Sequence, residues 1–283
     1  MTVHLYAADL TDRSKPLINV QRFQFPGGEQ HLHMPALIDG HEYEWVAVVK
    51  GADANELVTA GLLADIAYQR GEASSLLLPY LPAARADRGQ PFALDTYANV
   101  IGALNFDVVA TLDVHSQVGI DMEFGDSYHV HLSATPLVVA AVEHQDKFDA
   151  VIAPDSGAFD RAQSVALALR VPVYSGVKER DFATGKLSNF YYSGPTDGNF
   201  LVVDDICDGG GTFAGFAAVS GIPRENLSLW ITHGIFSKGS ASNLFRNYKA
   251  VYTTDSHPGS ANLHATVRVP VVPHMWKHVA GGL

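Results

Sequence analysis

A single cysteine, Cys207, stands among 283 residues, so no disulfide can form within the chain, and a reducing compartment is expected. Basic residues are also scarce: 19 Lys and Arg face 30 Asp and Glu, for a formal net charge of −11. That balance excludes nucleic acid as the main partner but permits a local basic cluster around an anionic small molecule. No stretch of about 18 apolar residues occurs, so neither a membrane span nor a membrane partner is expected. The opening MTVHLYAADL has no basic segment leading into an apolar run, and no secretion signal is expected. The sequence has no Pro- or Gly-rich linker, no short-period repeat and no low-complexity segment. A cytoplasmic protein is the expectation.

What is present is apolar residue in quantity, 47% of the chain, enough for a large buried core. Short aliphatic runs at 45–49, 75–78, 108–112, 150–153, 200–203, 227–232 and 250–253 read as strands buried on both faces. Helical patterns lie between them at 55–70, 96–104, 136–143, 158–169, 212–219 and 240–246. Strand alternating with helix means an α/β fold of doubly wound parallel-sheet type. The pattern divides into two such halves, 1–133 and 134–283, with the last segment returning to the first half. Ligands of open α/β sheets sit at the carboxyl ends of the strands. Arg85-Ala-Asp-Arg88, Asp113-Val-His115, Asp155-Ser-Gly157 and Asp204-Asp205 all fall just after strand runs.

The most informative stretch is Leu201-Val-Val-Asp-Asp-Ile-Cys-Asp-Gly-Gly-Gly-Thr212. An apolar strand runs into the paired acids Asp204 and Asp205. Asp208 and the glycines Gly209, Gly210 and Gly211 follow, then Thr212 at the start of a helix. Backbone N–H groups of such a turn, with a helix N-terminus behind them, cradle an anion. The adjacent acids suit ribose hydroxyls or a hydrated Mg²⁺. Cys207 reads as packing beneath the loop, and His129, His131, His233 and His257 read as structural.

This stretch resembles the loop that binds phosphoribosyl pyrophosphate (PRPP) in both phosphoribosyltransferases and PRPP synthetases. Other segments resemble the synthetase, the ribose-phosphate pyrophosphokinase family. Pro79-Tyr-Leu-Pro-Ala-Ala-Arg-Ala-Asp-Arg88 is similar to its ATP-site segment, and Thr111-Leu-Asp-Val-His-Ser116 to its metal segment. Ala153-Pro-Asp-Ser-Gly-Ala-Phe-Asp-Arg-Ala162 is similar to a second conserved run, and Val177-Lys-Glu-Arg180 to the catalytic loop. Phe25-Pro-Gly-Gly-Glu29 resembles an early element that touches adenine from a neighbouring subunit. Order and spacing hold from about Phe25 to Pro258.

The resemblance implies two halves of phosphoribosyltransferase-like type, ATP and a ribose phosphate as partners, Mg²⁺ as cofactor, and a homo-oligomer. It implies that Phe25, Glu29, Arg85, Asp87 and Arg88 bind ATP, and that His115 and Asp155 hold the metal. Lys178 and Arg180 would be catalytic, neutralising charge on the phosphates. Asp204, Asp205, Asp208, Gly209, Gly210, Gly211 and Thr212 would bind the acceptor. The stretch 181–198, rich in Gly, Ser and Thr, has the composition of a lid over the transfer step.

Departures from the family pattern are specific. Its acceptor loop, Asp-Thr-Ala/Cys-Gly-Thr, is here Asp208-Gly-Gly-Gly-Thr212, and the Gln after the ATP-site arginine is Ala86. The charged run before the next proline is reduced to Gly89-Gln90, and the basic residue before Arg161 is Asp160. The triple glycine removes a hydroxyl and bulk from where a terminal 5-phosphate is held. Phage-borne relatives that pyrophosphorylate ADP-ribose, for rebuilding NAD in host cytoplasm, are also short and divergent. The expected activity is transfer of the β,γ-diphosphate of ATP to the 1-hydroxyl of ribose 5-phosphate, with ADP-ribose as the alternative acceptor. A non-catalytic regulatory relative would be expected to lose the catalytic-loop cations, and Lys178 and Arg180 are both present.

Overall fold

Aliphatic runs without alternation demand a sheet covered on both faces, and the chain folds them so. A computed structural model describes residues 3–145, 147–180 and 187–279, with the backbone alone for 178–180, 187–189 and 238. Two compact units divide the chain, one of Met1–Leu132 with Val271–Leu283, the other of Ser133–Pro270.

The first unit begins with β1 (Val3–Asp9), β2 (Ile18–Asn19), β3 (Gln21–Gln24), β4 (Gln30–His33) and β5 (Tyr43–Val49). It continues with α1 (Ala54–Arg70), β6 (Ala73–Leu78), α2 (Ala93–Gly102), β7 (Val108–Leu112), α3 (Gln117–Ile120) and β8 (Tyr128–Leu132). Its sheet has the order β2-β1-β5-β6-β7-β8. Strands β5 to β8 are mutually parallel, and β1 and β2 are antiparallel additions on one side. Those two lie outside the all-parallel pattern expected from the sequence, because no helix separates β1 from β5 and a helix is what returns a chain for parallel pairing. Every residue of β5 is buried. Helix α1 covers it with Leu57, Ala60, Leu63, Ala64 and Ala67, one face of a 3.6-residue period. The Asp53 carboxylate accepts from Asn55 N–H at its start, and left-handed Gly71 closes its end onto the carbonyls of Ala67 and Tyr68. Strands β3 and β4 form a separate hairpin, joined at its tip by Phe25–Glu29.

The second unit comprises α4 (Thr135–Val142), β9 (Ala150–Ala153), α5 (Phe159–Leu169), β10 (Val173–Ser175), β11 (Val177–Arg180) and β12 (Leu187–Tyr191). Then come β13 (Phe200–Cys207), α6 (Gly211–Ser220), β14 (Leu227–Gly234), α7 (Ser240–Asn247), β15 (Ala250–Thr254) and β16 (Val267–Val269). The sheet runs β10-β9-β13-β14-β15-β16, parallel throughout. Its core gathers Phe200, Phe213, Phe216, Leu227, Leu229 and Tyr248. The chain leaves β9 for β10 on one side and crosses to β13 on the other, so the strand order reverses between β9 and β13. That is the switch point where such sheets bind ligands. Within the stretch expected to form a lid, Leu187–Tyr191 is β12, paired antiparallel with β11; residues 181–186 lie outside the described residues. The chain ends its described course in α8 (Val272–Trp276), back in the first unit, where Trp276 meets Tyr6 edge-on at 5.8 Å. No helix among the described residues is long and apolar enough to cross a membrane.

Candidate active site

At the switch point of the second unit, β13 carries Asp204 and Asp205 just before its end. Each carboxylate is fixed by the next backbone amide: Asp205 N–H donates to Asp204 Oδ1 and Ile206 N–H to Asp205 Oδ1, both at 2.8 Å. The guanidinium of Arg161, on α5, reaches both acids, Nη1 lying 3.9 Å from Asp204 Oδ1 and Nη2 3.6 Å from Asp205 Oδ2. Burial, then the neighbouring Asp205 carboxylate, push the Asp204 carboxyl well above the usual carboxylate range, against the pull of Arg161.

The loop that follows is pinned from below. The Cys207 carbonyl accepts from Ile235 N–H at 2.9 Å and Phe236 N–H at 3.0 Å, and Ser240 Oγ donates to the Asp208 carbonyl at 2.7 Å. Cys207 is buried beneath it, its thiol pushed up to about 12 by enclosure and by the nearby Asp204 and Asp208. Gly210 takes a left-handed conformation, φ 75°, that glycine adopts without strain, and caps α6 with no side-chain hydrogen bond. The first turn of α6 begins with Gly211 and Thr212, where backbone N–H groups point out of the helix start. A Cβ built on Gly209 meets no heavy atom within 4 Å, so the ground beside the loop is open. Asp155, at the end of neighbouring β9, accepts from Gly157 N–H at 3.0 Å, and its charge is felt at Asp204. One end of this sheet therefore brings together Asp155, Asp204, Asp205, Asp208, Gly209, Gly210, Gly211 and Thr212. Strand β11 starts beside them, since Gly176 N–H donates to the Ala153 carbonyl at 2.8 Å. The backbone of Lys178 and Arg180 runs along it, but their side chains lie outside the described residues.

In the first unit, Arg85, Asp87 and Arg88 follow β6 and His115 follows β7, its parallel neighbour. Arg85, Arg88 and His115 are exposed, while Asp87 is buried and pairs with Arg88 Nε at 3.3 Å. Asp87 is thus placed to orient Arg88. The buried Oγ of Ser116, beside His115, has no hydrogen-bond partner. Phe25 and Glu29 sit at the exposed tip of the β3–β4 hairpin, Phe25 stacked on His31 with centroids 5.7 Å apart.

No group of three or more His, Cys, Asp or Glu side chains gathers to hold a metal among the described residues. Mg²⁺ needs no such cage, since it keeps waters and takes one or two carboxylates together with substrate phosphates. The half-buried Asp155 carboxylate of the second unit fits a metal that arrives with phosphate. Arg161 is the residue that sequence reasoning missed. It stood inside a quoted segment, but only the adjacency of β9 and β13 shows that its charge belongs to the acid pair.

No protein-family model matches the chain. The ribose-phosphate pyrophosphokinase of Sulfurisphaera tokodaii is 28% identical over 257 residues, 87% of each chain. That of Bradyrhizobium diazoefficiens is 32% identical over 216 residues, 72% of this chain and 67% of the relative. The chain belongs to the ribose-phosphate pyrophosphokinase family. Its fold agrees: a phosphoribosylpyrophosphate synthetase from Mycobacterium smegmatis superposes with a TM-score of 0.73 at 21% identity, covering 93% of this chain and 91% of that one. Both parallel sheets are thus of the phosphoribosyltransferase type used by this family.

Proposed function

We propose that the chain transfers the β,γ-diphosphate of ATP to the anomeric hydroxyl of ribose 5-phosphate, releasing AMP. The observation that carries this reading is the acid pair closing β13 directly before a glycine turn and an uncapped helix start, at the switch point of a parallel sheet. Family membership supplies the reaction class. In the step, the C1 hydroxyl oxygen attacks the β-phosphorus, the bond from the β-phosphorus to the oxygen bridging it to the α-phosphorus breaks, AMP departs keeping that bridging oxygen, and the hydroxyl proton passes to water. Asp204 and Asp205 hold the ribose hydroxyls, which aims C1. The amides of 209–212 and the Thr212 hydroxyl hold the 5-phosphate. Arg85 and Arg88 grip the ATP phosphates with forked donors, and Asp87 orients Arg88. Phe25 and Glu29 meet adenine on a neighbouring subunit, so the working form is a homo-oligomer. Lys178 and Arg180 neutralise charge as it builds on the leaving α-phosphate, the main lever in a reaction that is mostly positioning. His115 and Asp155 would hold Mg²⁺, which when bound masks the charge of the diphosphate. Its substrates place it in the cytoplasm.

A second acceptor is favoured by one feature. Gly209 leaves open space where the family loop carries a side chain, and a 5′-diphosphate with a bulky substituent needs that room. ADP-ribose would then be the acceptor, and its pyrophosphate would feed the rebuilding of NAD. AMP release with ATP and Mg²⁺, followed with ribose 5-phosphate and with ADP-ribose, separates the two. A kcat/KM preference for ribose 5-phosphate of about 10²-fold, about 2.7 kcal/mol, excludes ADP-ribose as the true acceptor. Silence with both acceptors excludes the transferase reading.

A further inference from the structure

Two neighbouring carboxylates at the end of a buried strand repel one another, and enclosure adds to the cost of ionising both. Asp204 and Asp205 are in this position, their side chains 13% and 5% exposed. Each spends one oxygen on a backbone amide, which fixes its direction but leaves its charge. Helix α5 answers with a single guanidinium, itself 15% exposed, whose two Nη atoms lie 3.6 and 3.9 Å from the two acids. These separations are longer than a bidentate salt bridge, so the fork straddles the pair rather than closing on one member. We propose that Arg161 is the positioning residue of the acceptor site, orienting Asp204 and Asp205 as a pair toward the ribose hydroxyls and making the pair easier to ionise than it would be without the guanidinium. The inference rests on the reading of those acids as acceptor-binding.

The reasoning is electrostatic and geometric together. An acid that keeps its proton presents a donor where the ribose also presents donors, and the sugar is held worse. Among the described residues, Asp205 and Cys207 on its own strand, Arg161 from α5, Asp155 after β9 and Tyr248 after α7 face Asp204. Of these groups, Arg161 is the cation. A lysine at 161 offers a point charge in place of the fork and can serve one acid at a time.

The test is Arg161→Gln with Arg161→Lys beside it, in the full chain. KM for acceptor and for ATP are measured, kcat/KM for acceptor is followed against pH, and carboxyl-labelled NMR reads the protonation of the acid pair in the free protein. R161Q is expected to raise the acceptor KM about 10-fold or more while the ATP KM stays within about 2-fold. The acid limb of the pH profile should move upward by about one unit or more, the scale of losing an opposite charge at this distance. R161K should recover part of both effects. An acid limb that stays in place in R161Q, or acceptor and ATP KM values that rise together, overturns the proposal. If R161Q does not fold, R161K decides, since a limb unmoved by loss of the fork also overturns it. If wild-type protein uses neither acceptor, the functional reading falls by itself. NMR then still judges the arginine: carboxyl titrations of the pair that shift upward in the variant support it, and titrations that do not shift overturn it.

Discussion

Asp204 carries its carboxyl group well above the usual carboxylate range because it is enclosed and because Asp205 stands next to it. The consequence for stability has a definite sign. Between the unfolded value near 3.8 and the raised folded value, the folded chain holds more protons than the unfolded one, so stability falls as pH rises through that window. Asp204→Asn removes this dependence while its side-chain oxygen can still accept from Asp205 N–H. Melting temperature followed against pH should therefore be flatter in D204N, and at pH 8 the variant should melt no lower than wild type even as acceptor binding is lost. A D204N protein that melts well below wild type at pH 8 contradicts the assignment of strain to this carboxylate. Lys178 and Arg180 act in the transition state on our reading, so Lys178→Ala and Arg180→Ala should each cut kcat by about 10² or more with little change in ATP affinity. Near-normal turnover in K178A would remove β11 from the catalytic machinery. Acids before a glycine turn are a local pattern, so Asp204, Asp205 and Asp208 could be singled out from spacing, whereas Lys178 and Arg180 were singled out by resemblance. Arg161 was not legible in the sequence, because its role is a pairing between α5 and β13 that no local spacing encodes.

At the scale of the element, the acceptor loop shows which glycines matter to the backbone. Gly210, at φ 75°, also has Ser240 Cβ 3.3 Å from where its own Cβ would stand, whereas Gly209 has open space. Gly210→Ala should destabilise the fold by about 1–2 kcal/mol in chemical denaturation. Gly209→Ala should leave stability within about 0.5 kcal/mol. Equal costs at the two positions would mean that the turn is not built as described. Larger side chains at 209 then report the acceptor: Gly209→Thr should hurt ADP-ribose more than ribose 5-phosphate. The aliphatic strands β5, β6, β7, β9, β13, β14 and β15 were readable because burial on both faces erases alternation. Strands β1, β8 and β12 were not. They lie at the side of a sheet or in a hairpin, mix polar with apolar residues as in Tyr128-His-Val-His-Leu132, and so lack that signature.

For the whole molecule, the β3–β4 hairpin raises the question of assembly. Phe25 is 46% exposed at its tip, stacked on His31, and Met34 and Ile38 just beyond the hairpin are exposed as well. We expect at least a homodimer by sedimentation, and a fully active monomer would contradict the role given to Phe25. The division into two halves was visible as alternating strands and helices, but the antiparallel strands flanking the first sheet were not. The central claim concerns which bond of ATP breaks, and one measurement addresses it directly. ATP labelled in its γ-phosphate is turned over with Mg²⁺ and ribose 5-phosphate or ADP-ribose, and ³¹P NMR with mass spectrometry locates the label. The account predicts equimolar AMP and a sugar whose anomeric diphosphate carries the label on its outer phosphorus. Release of ADP with label on a monophosphorylated sugar, or of labelled free diphosphate with the sugar unchanged, would contradict it.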